Sequence, residues 1–241
     1  MRAGLFQRAV GAALFALALA ACGRGGPETV VADPLEPPPY GVEEENAEVF
    51  VDSMEVGGRE LYAAREAVLA AAKIPAGARV ADIGAGTGLY SLMFAGAAGE
   101  TGTVYAIDIE PRFLKLINQR AADLDHKNVV SVLGRETDIT LPANSVDVAF
   151  IADTYHYFTD RAAIMATVRD ALADNGRLII LDYNLTADNA GDALHGHVRF
   201  GKAGLVNEIR AFGFELVEEP AVLGLKDFYM VVFKKAAAGP A

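Results

Sequence analysis

The run Arg79-Val-Ala-Asp82-Ile-Gly84-Ala-Gly86-Thr-Gly88 decides the fold. It opens as a short strand, apolar on both faces, and ends in an acid followed by three alternating glycines. Glycine tolerates the positive φ of a sharp strand-to-helix turn, and its missing Cβ lets a ligand approach the backbone. Residues 89–97 continue as a helix whose first-turn N–H groups and positive end face that turn. A strand, a glycine turn and a helix in this order form a ligand-binding unit of an open α/β sheet, where ligands lie beyond the carboxyl ends of the strands.

The pattern spreads outward from there. Further short Val/Ile/Ala-rich strands are predicted at 103–107, 129–133, 146–151 and 177–182, with helices at 111–124 and 160–173. Pro111 suits a first helical turn, Asp160 a helix cap, and Asn175-Gly176 a turn into the fifth strand. Upstream, residues 60–72 form an alanine-rich helix with Leu61, Val68 and Leu69 on one side, ended by Pro75-Ala-Gly77. Downstream come a helix over 201–211, a turn at Gly213, and a hairpin of strands near 214–223 and 227–234. Strands buried on both faces and alternating with helices predict a doubly wound, mostly parallel seven-stranded sheet with an antiparallel C-terminal edge strand.

The glycine spacing narrows the chemistry. A dinucleotide fingerprint needs its third glycine at position 89, which is leucine, and no Gly-Lys-Ser/Thr phosphate loop is present. The next strand ends at Asp108, 20 residues past Gly88, where an acid can accept both hydroxyls of a ribose. This combination resembles the first motifs of class I S-adenosylmethionine-dependent methyltransferases. The segments Gly134–Pro142 with Asn-Ser-Val-Asp147, Asp153-Thr-Tyr155-His156-Tyr157-Phe158, and Asn175-Gly176-Arg-Leu-Ile-Ile-Leu-Asp182 resemble the later motifs of that family. Within that family the chain resembles the ubiquinone/menaquinone C-methyltransferase-like, methyltransferase type 11 group, alongside other small-molecule methyltransferases.

The resemblance implies S-adenosyl-L-methionine as cofactor and a methyl transfer to a small molecule. It sets Gly84, Ala85, Gly86 and Gly88 against the methionine part, Asp82 on its ammonium, and Asp108 with Ile109 on the ribose side. Glu136 and Asp153 complete the expected cofactor residues. The sequence departs from the family at Arg135, where an acid often meets the adenine amine. Arginine has no acceptor, so Glu136 or Asp138 takes that contact, or the backbone does.

For the acceptor side, His156 follows the fourth strand and titrates near neutrality, which makes it the candidate base or orienter, with Tyr155 beside it. Tyr157, Asp182, His195, His197 and Arg199 are the candidate substrate residues, the last three on a loop that could fold over the pocket. Tyr62 and Arg65, three apart on one helix, could cover the cofactor carboxylate. Asp153, Asp182 and Asn184 only loosely match the magnesium ligands of catechol-type methyltransferases, because Tyr183 breaks the spacing; no metal is expected.

The first residues read as targeting rather than fold. Arg2 and Arg8 precede the apolar stretch 9–21, too short to span a bilayer, and Leu19-Ala20-Ala21-Cys22 resembles a bacterial lipobox. On that reading residues 1–21 are a lipoprotein signal peptide and Cys22, the only cysteine, carries the lipid. Residues 22–56, rich in Pro, Gly and Glu, form a flexible tether, 57–235 the folded domain, and 236–241 a disordered tail. The expected location is the cell envelope, facing the periplasm, outer membrane before inner, with the lipid as the only membrane contact. A net charge of −11 argues against nucleic acid as a partner. A periplasmic site separates the domain from a cytoplasmic cofactor. An envelope binding protein on the same fold, and an aminopropyltransferase, therefore stand beside the methyltransferase reading.

Overall fold

The computed structural model describes residues 47–189 and 198–237. These lie in the compact unit Asp33–Ala241. The central sheet follows the predicted alternation: β1 (Arg79–Ile83), β2 (Thr103–Asp108), β3 (Val129–Leu133), β4 (Val146–Ala152), β5 (Leu172–Tyr183), β6 (Phe214–Glu218) and β7 (Phe228–Lys235). Its order is β3-β2-β1-β4-β5-β7-β6. The first five strands pair in parallel; β7 runs antiparallel to both β5 and β6. The antiparallel strand is thus one place in from the edge, with β6 outermost. The chain winds from β1 outward through β2 to β3, then returns to lay β4 on the other side of β1. This reversal opens a crevice beyond the carboxyl ends of β1 and β4.

Strand alternation sends side chains to two cores. Ala81, Ile83, Leu178, Ile180, Val231 and Phe233 face one, and Val80, Ile179, Leu181, Met230 and Val232 face the other. The first core is covered by Ile164, Met165 and Val168 of α6 (Arg161–Ala171), and by Leu205, Val206 and Ile209 of α7 (Lys202–Ala211). The second is covered by Leu61 of α2 (Glu60–Ala63), Val68 and Ala72 of α3 (Arg65–Ala72), and Tyr90, Phe94 and Ala95 of α4 (Leu89–Ala98). Phe94 is wholly buried and packs edge-on to Phe150 at 4.8 Å, so Phe94→Ala should cost about 3–5 kcal/mol. α5 (Pro111–Asp123) lies over β2 and β3, with Pro111 in its first turn and the Glu110 side chain capping Arg112 N–H. The Asp160 side chain caps α6 through Ala163 N–H.

Three local readings change. The helix predicted over 60–72 breaks at Ala64, whose φ of −90° and ψ of 2° leave the helical path. The helix predicted to 173 ends at Ala171, and β5 begins at Leu172, which pairs with Val146 before the register jumps to Arg177 opposite Val148. Residues 173–176 bulge out of the strand, so Asn175-Gly176 turns inside β5 rather than before it. The largest change lies within the stretch read as tether: α1 (Glu48–Met54) is a helix. No helix among the described residues is long and apolar enough to cross a membrane. Cys22 and the signal-peptide reading lie outside the described residues, as do His195, His197 and residues 238–241 of the tail.

Candidate functional site

The crevice holds a cavity of about 460 Å³, a size typical of small-ligand sites. Its floor is the glycine loop. Gly84 and Ala85 donate their N–H groups to Ile107 O at 2.8 and 3.0 Å, which seats the loop on the end of β2. Gly84 adopts φ +71°, and a Cβ there would lie 2.3 Å from Thr154 Cγ2, so only glycine fits. At Gly86, also left-handed at φ +52°, a Cβ would meet nothing within 4 Å. That open space belongs to the cavity.

Two buried carboxylates flank the loop. Asp108 accepts Gly86 N–H and Glu110 N–H, each at 2.9 Å, one on each oxygen. Burial raises its pKa, and those two N–H bonds oppose the rise. Asp82, 2% exposed, accepts the Ser91 hydroxyl at 2.5 Å. Burial pushes its pKa up to about 7, and a cation placed against it would favour the charged carboxylate and bring the pKa down again. At the rim, Arg135 and Asp138 exchange backbone hydrogen bonds in a tight turn that presents Arg135, Glu136 and Asp138 to the cavity. Arg135 and Glu136 are exposed; Asp138 is half-buried and uses one oxygen to accept Thr140 N–H at 2.7 Å.

A second wall follows β4, next to β1. Asp153 takes a left-handed φ of +51° and donates its N–H to Leu181 O at 2.8 Å, which turns its side chain to the cavity. Arg59 Nη2 meets it at 2.6 Å. Behind Asp153, His156 Nδ1 lies 2.5 Å from Asp182 Oδ1, and Asp182 also accepts Tyr183 N–H at 2.8 Å. Burial alone would lower the His156 pKa, but the hydrogen bond and charge of Asp182, with Asp153 nearby, outweigh it and raise the pKa. Donor atoms of Asp153, His156 and Asp182 lie within 4.8 Å of one another. Among those three, Asp153 is already paired with Arg59 and Asp182 with His156. His156 stands where the loose sequence match had Asn184, whose side chain is turned toward Lys202 N–H.

The predicted residues therefore divide. Asp82, Gly84, Ala85, Gly86, Asp108, Ile109, Glu136, Asp153 and Tyr157 all line one cavity. Gly88 stands just behind it at φ +83°, packed on Ile117. His156 and Asp182 form the layer behind Asp153 and Tyr157; the His156 and Tyr157 rings are 4.3 Å apart. Tyr155 points away, donating its hydroxyl to Glu208 at 2.6 Å in the core under α7. Arg199 is exposed and off the cavity wall. Arg65 stacks on Tyr62 at 4.1 Å rather than reaching the site. Arg59, just before α2, lines the cavity instead.

The roof went unread in the sequence. Phe50, Met54, Glu55 and Arg59 cover the cavity from α1 and the segment after it. The spacing of Phe50 and Met54, four residues apart with Val51 three before Met54, is the helical signal that would have found it.

The donor set fits S-adenosylmethionine. Carboxylates suit its ammonium, sulfonium and ribose hydroxyls, and the space left open by Gly86 is where its chain would lie.

Comparisons agree with this geometry. A methyltransferase domain family model matches residues 74–208. The ubiquinone/menaquinone biosynthesis C-methyltransferase UbiE of Paraburkholderia phymatum is 34% identical over 122 residues, covering 50% of this chain and 49% of that protein. Its counterpart in Burkholderia orbicola is 32% identical over 145 residues, covering 59% and 58%. The chain thus spans about half the length of the curated relatives it matches. A solved S-adenosylmethionine-dependent methyltransferase from Aquifex aeolicus superimposes with a TM-score of 0.69 at 23% identity, over 80% of this chain and 100% of that one, a likeness of fold. The chain belongs to the methyltransferase domain family, and its cofactor is S-adenosylmethionine.

Proposed function

We propose that this chain transfers the methyl group of S-adenosylmethionine to a small-molecule acceptor by in-line displacement. One observation carries the reading: the glycine loop with Asp108 and the segment after β4 with Asp153 and Tyr157 line a single cavity. The cofactor supplies an activated methyl carbon, so the protein's work is to align the acceptor and exclude water. Asp82, Gly84, Gly86 and Asp108 hold the donor side. Phe50, Leu61, Phe113, Phe158 and Ile164 give the cavity a largely apolar lining, which suits an acceptor with an apolar ring or chain. Relatives named for ubiquinone/menaquinone biosynthesis support a ring-bearing acceptor. Where the acceptor has a proton to lose, Asp153 at the wall is placed to take it, with the His156–Asp182 pair behind to pass it on.

The test is turnover by the full chain. Supplied with methyl-labelled S-adenosylmethionine and a panel of phenols and quinols, it should move label into at least one acceptor, and Asp108→Ala should not. Cofactor binding without label transfer to any acceptor would favour a binding protein. The proposal extends to location: Cys22 carries a lipid that holds the domain at the cell envelope. Cys22→Ala should then move the chain from the membrane to the soluble fraction, and unchanged membrane association would overturn that part.

A further inference from the structure

The roof depends on a side chain that lies outside the cavity. α1 has seven residues and buries none of them fully, so it cannot hold its place by propensity or packing alone. Three side-chain contacts among the described residues help to fasten it and the segment that follows. Phe50 packs edge-on to Phe113 of α5 at 5.2 Å. Arg59 pairs with Asp153 on the second wall. Glu55, its side chain 8% exposed, is gripped by both ends of the Arg120 guanidinium at 2.5 and 2.8 Å. The same Arg120 Nη1 donates to Thr87 O at 2.8 Å. Thr87 sits inside the glycine loop, between Gly86, which Asp108 holds, and Gly88. One fork therefore ties the cofactor loop to the cavity roof. Lysine cannot copy it, because it lacks the planar pair of donors.

We propose that Arg120 is a positioning residue that couples seating of S-adenosylmethionine on Gly84–Gly88 to closure of residues 48–59 over it. The inference rests on the cofactor assignment made above. Arg120 does not touch the ligand; it acts through Glu55 and the Thr87 carbonyl. When the loop settles on the cofactor, the carbonyl fixes the guanidinium, and the guanidinium fixes the buried carboxylate of the roof.

Hydrogen exchange and equilibrium binding on the full chain test this. In the wild type, S-adenosylmethionine should slow exchange both at 84–90 and at 48–59. In Arg120→Gln it should still slow 84–90 but leave 48–59 fast, with affinity weakened about 10-fold. Arg120→Lys should recover only part of the loss. Glu55→Gln should reproduce the defect, and the double variant should be no worse than Arg120→Gln alone. If the ligand protects the roof equally in Arg120→Gln and in the wild type, the coupling is wrong. Failure of the cofactor assignment looks different: no protection anywhere in the wild type. The ligand-free proteins then decide the coupling. Arg120→Gln should quicken exchange at 84–90 and 48–59 together, and a change confined to one of them would overturn it.

Discussion

The two ends of the cavity are built differently. The donor end comes from one continuous stretch, residues 82–88, plus the next strand end at Asp108, and its contacts run mainly through backbone N–H groups, which bond the Ile107 and Ala85 carbonyls and the Asp108 carboxylate. The acceptor end and roof are assembled from side chains far apart in sequence: Arg59 with Asp153, His156 with Asp182, and Arg120 with Glu55. The first kind of site is fixed by local backbone geometry, which leaves a mark on residue type and spacing. The second is fixed by packing, and a sequence carries little trace of it. A fold of this class hosts many activities, and it is the second end that separates them.

Substitutions should break the comparison at its strong end first. Gly84→Ala places a Cβ against Thr154 in a left-handed residue, so cofactor binding should fall beyond detection in calorimetry while the distant core stays folded. Retention of binding would mean that the loop is not the seat. At the acceptor end Asp182→Asn should lower turnover by about 10–100-fold and move its pH dependence. The wild-type His156 pKa is raised, so its activity should climb with pH through a midpoint above the ordinary 6.5. Without the Asp182 charge, burial dominates and the midpoint should fall below 6.5. An unmoved profile would remove His156 from the proton path. The same raised pKa makes the His156–Asp182 ion pair a stabilising contribution at acid pH, lost as pH rises through the folded value.

A smaller effect sharpens the donor end. Asp82 has its pKa pushed up to about 7 by burial, against 3.8 for an ordinary aspartate. Between those values the folded chain holds a proton that the unfolded chain has released, so this group costs stability as pH rises. Asp82→Asn keeps an acceptor for Ser91 and removes that cost. Its melting temperature should gain on the wild type by several degrees from pH 5 to pH 8, at about 2–4 °C per kcal/mol. S-adenosylmethionine should reverse the order by stabilising only the wild type, and parallel curves with and without ligand would contradict the assignment.

What could be read beforehand follows the same division. β1 to β5 and the helices between them were legible because apolar runs, Pro111 and Asp160 are local signals. The start of β5 was missed because a bulge at 173–176 looks, in sequence, like the turn that separates two elements. Cavity placement of Gly84, Gly86 and Asp108 was legible from spacing, and that of Asp82 from the family resemblance. Tyr155 was not: its neighbours His156 and Tyr157 alternate with it, but the 3₁₀ turn Tyr155–Tyr157 sends its ring into the core toward Glu208. α1 was missed because prolines and acids dominate the stretch before it, and its seven residues carry only one helical repeat, Phe50 and Val51 with Met54.

The most direct test of the central claim is calorimetric titration of the full chain with S-adenosylmethionine, wild type against Asp108→Ala. The account predicts saturable binding to the wild type and a loss of about 100-fold in the variant, the scale expected for removing two hydrogen bonds to a charged group. Equal binding by the two proteins, or no binding to the wild type at millimolar ligand, would contradict it.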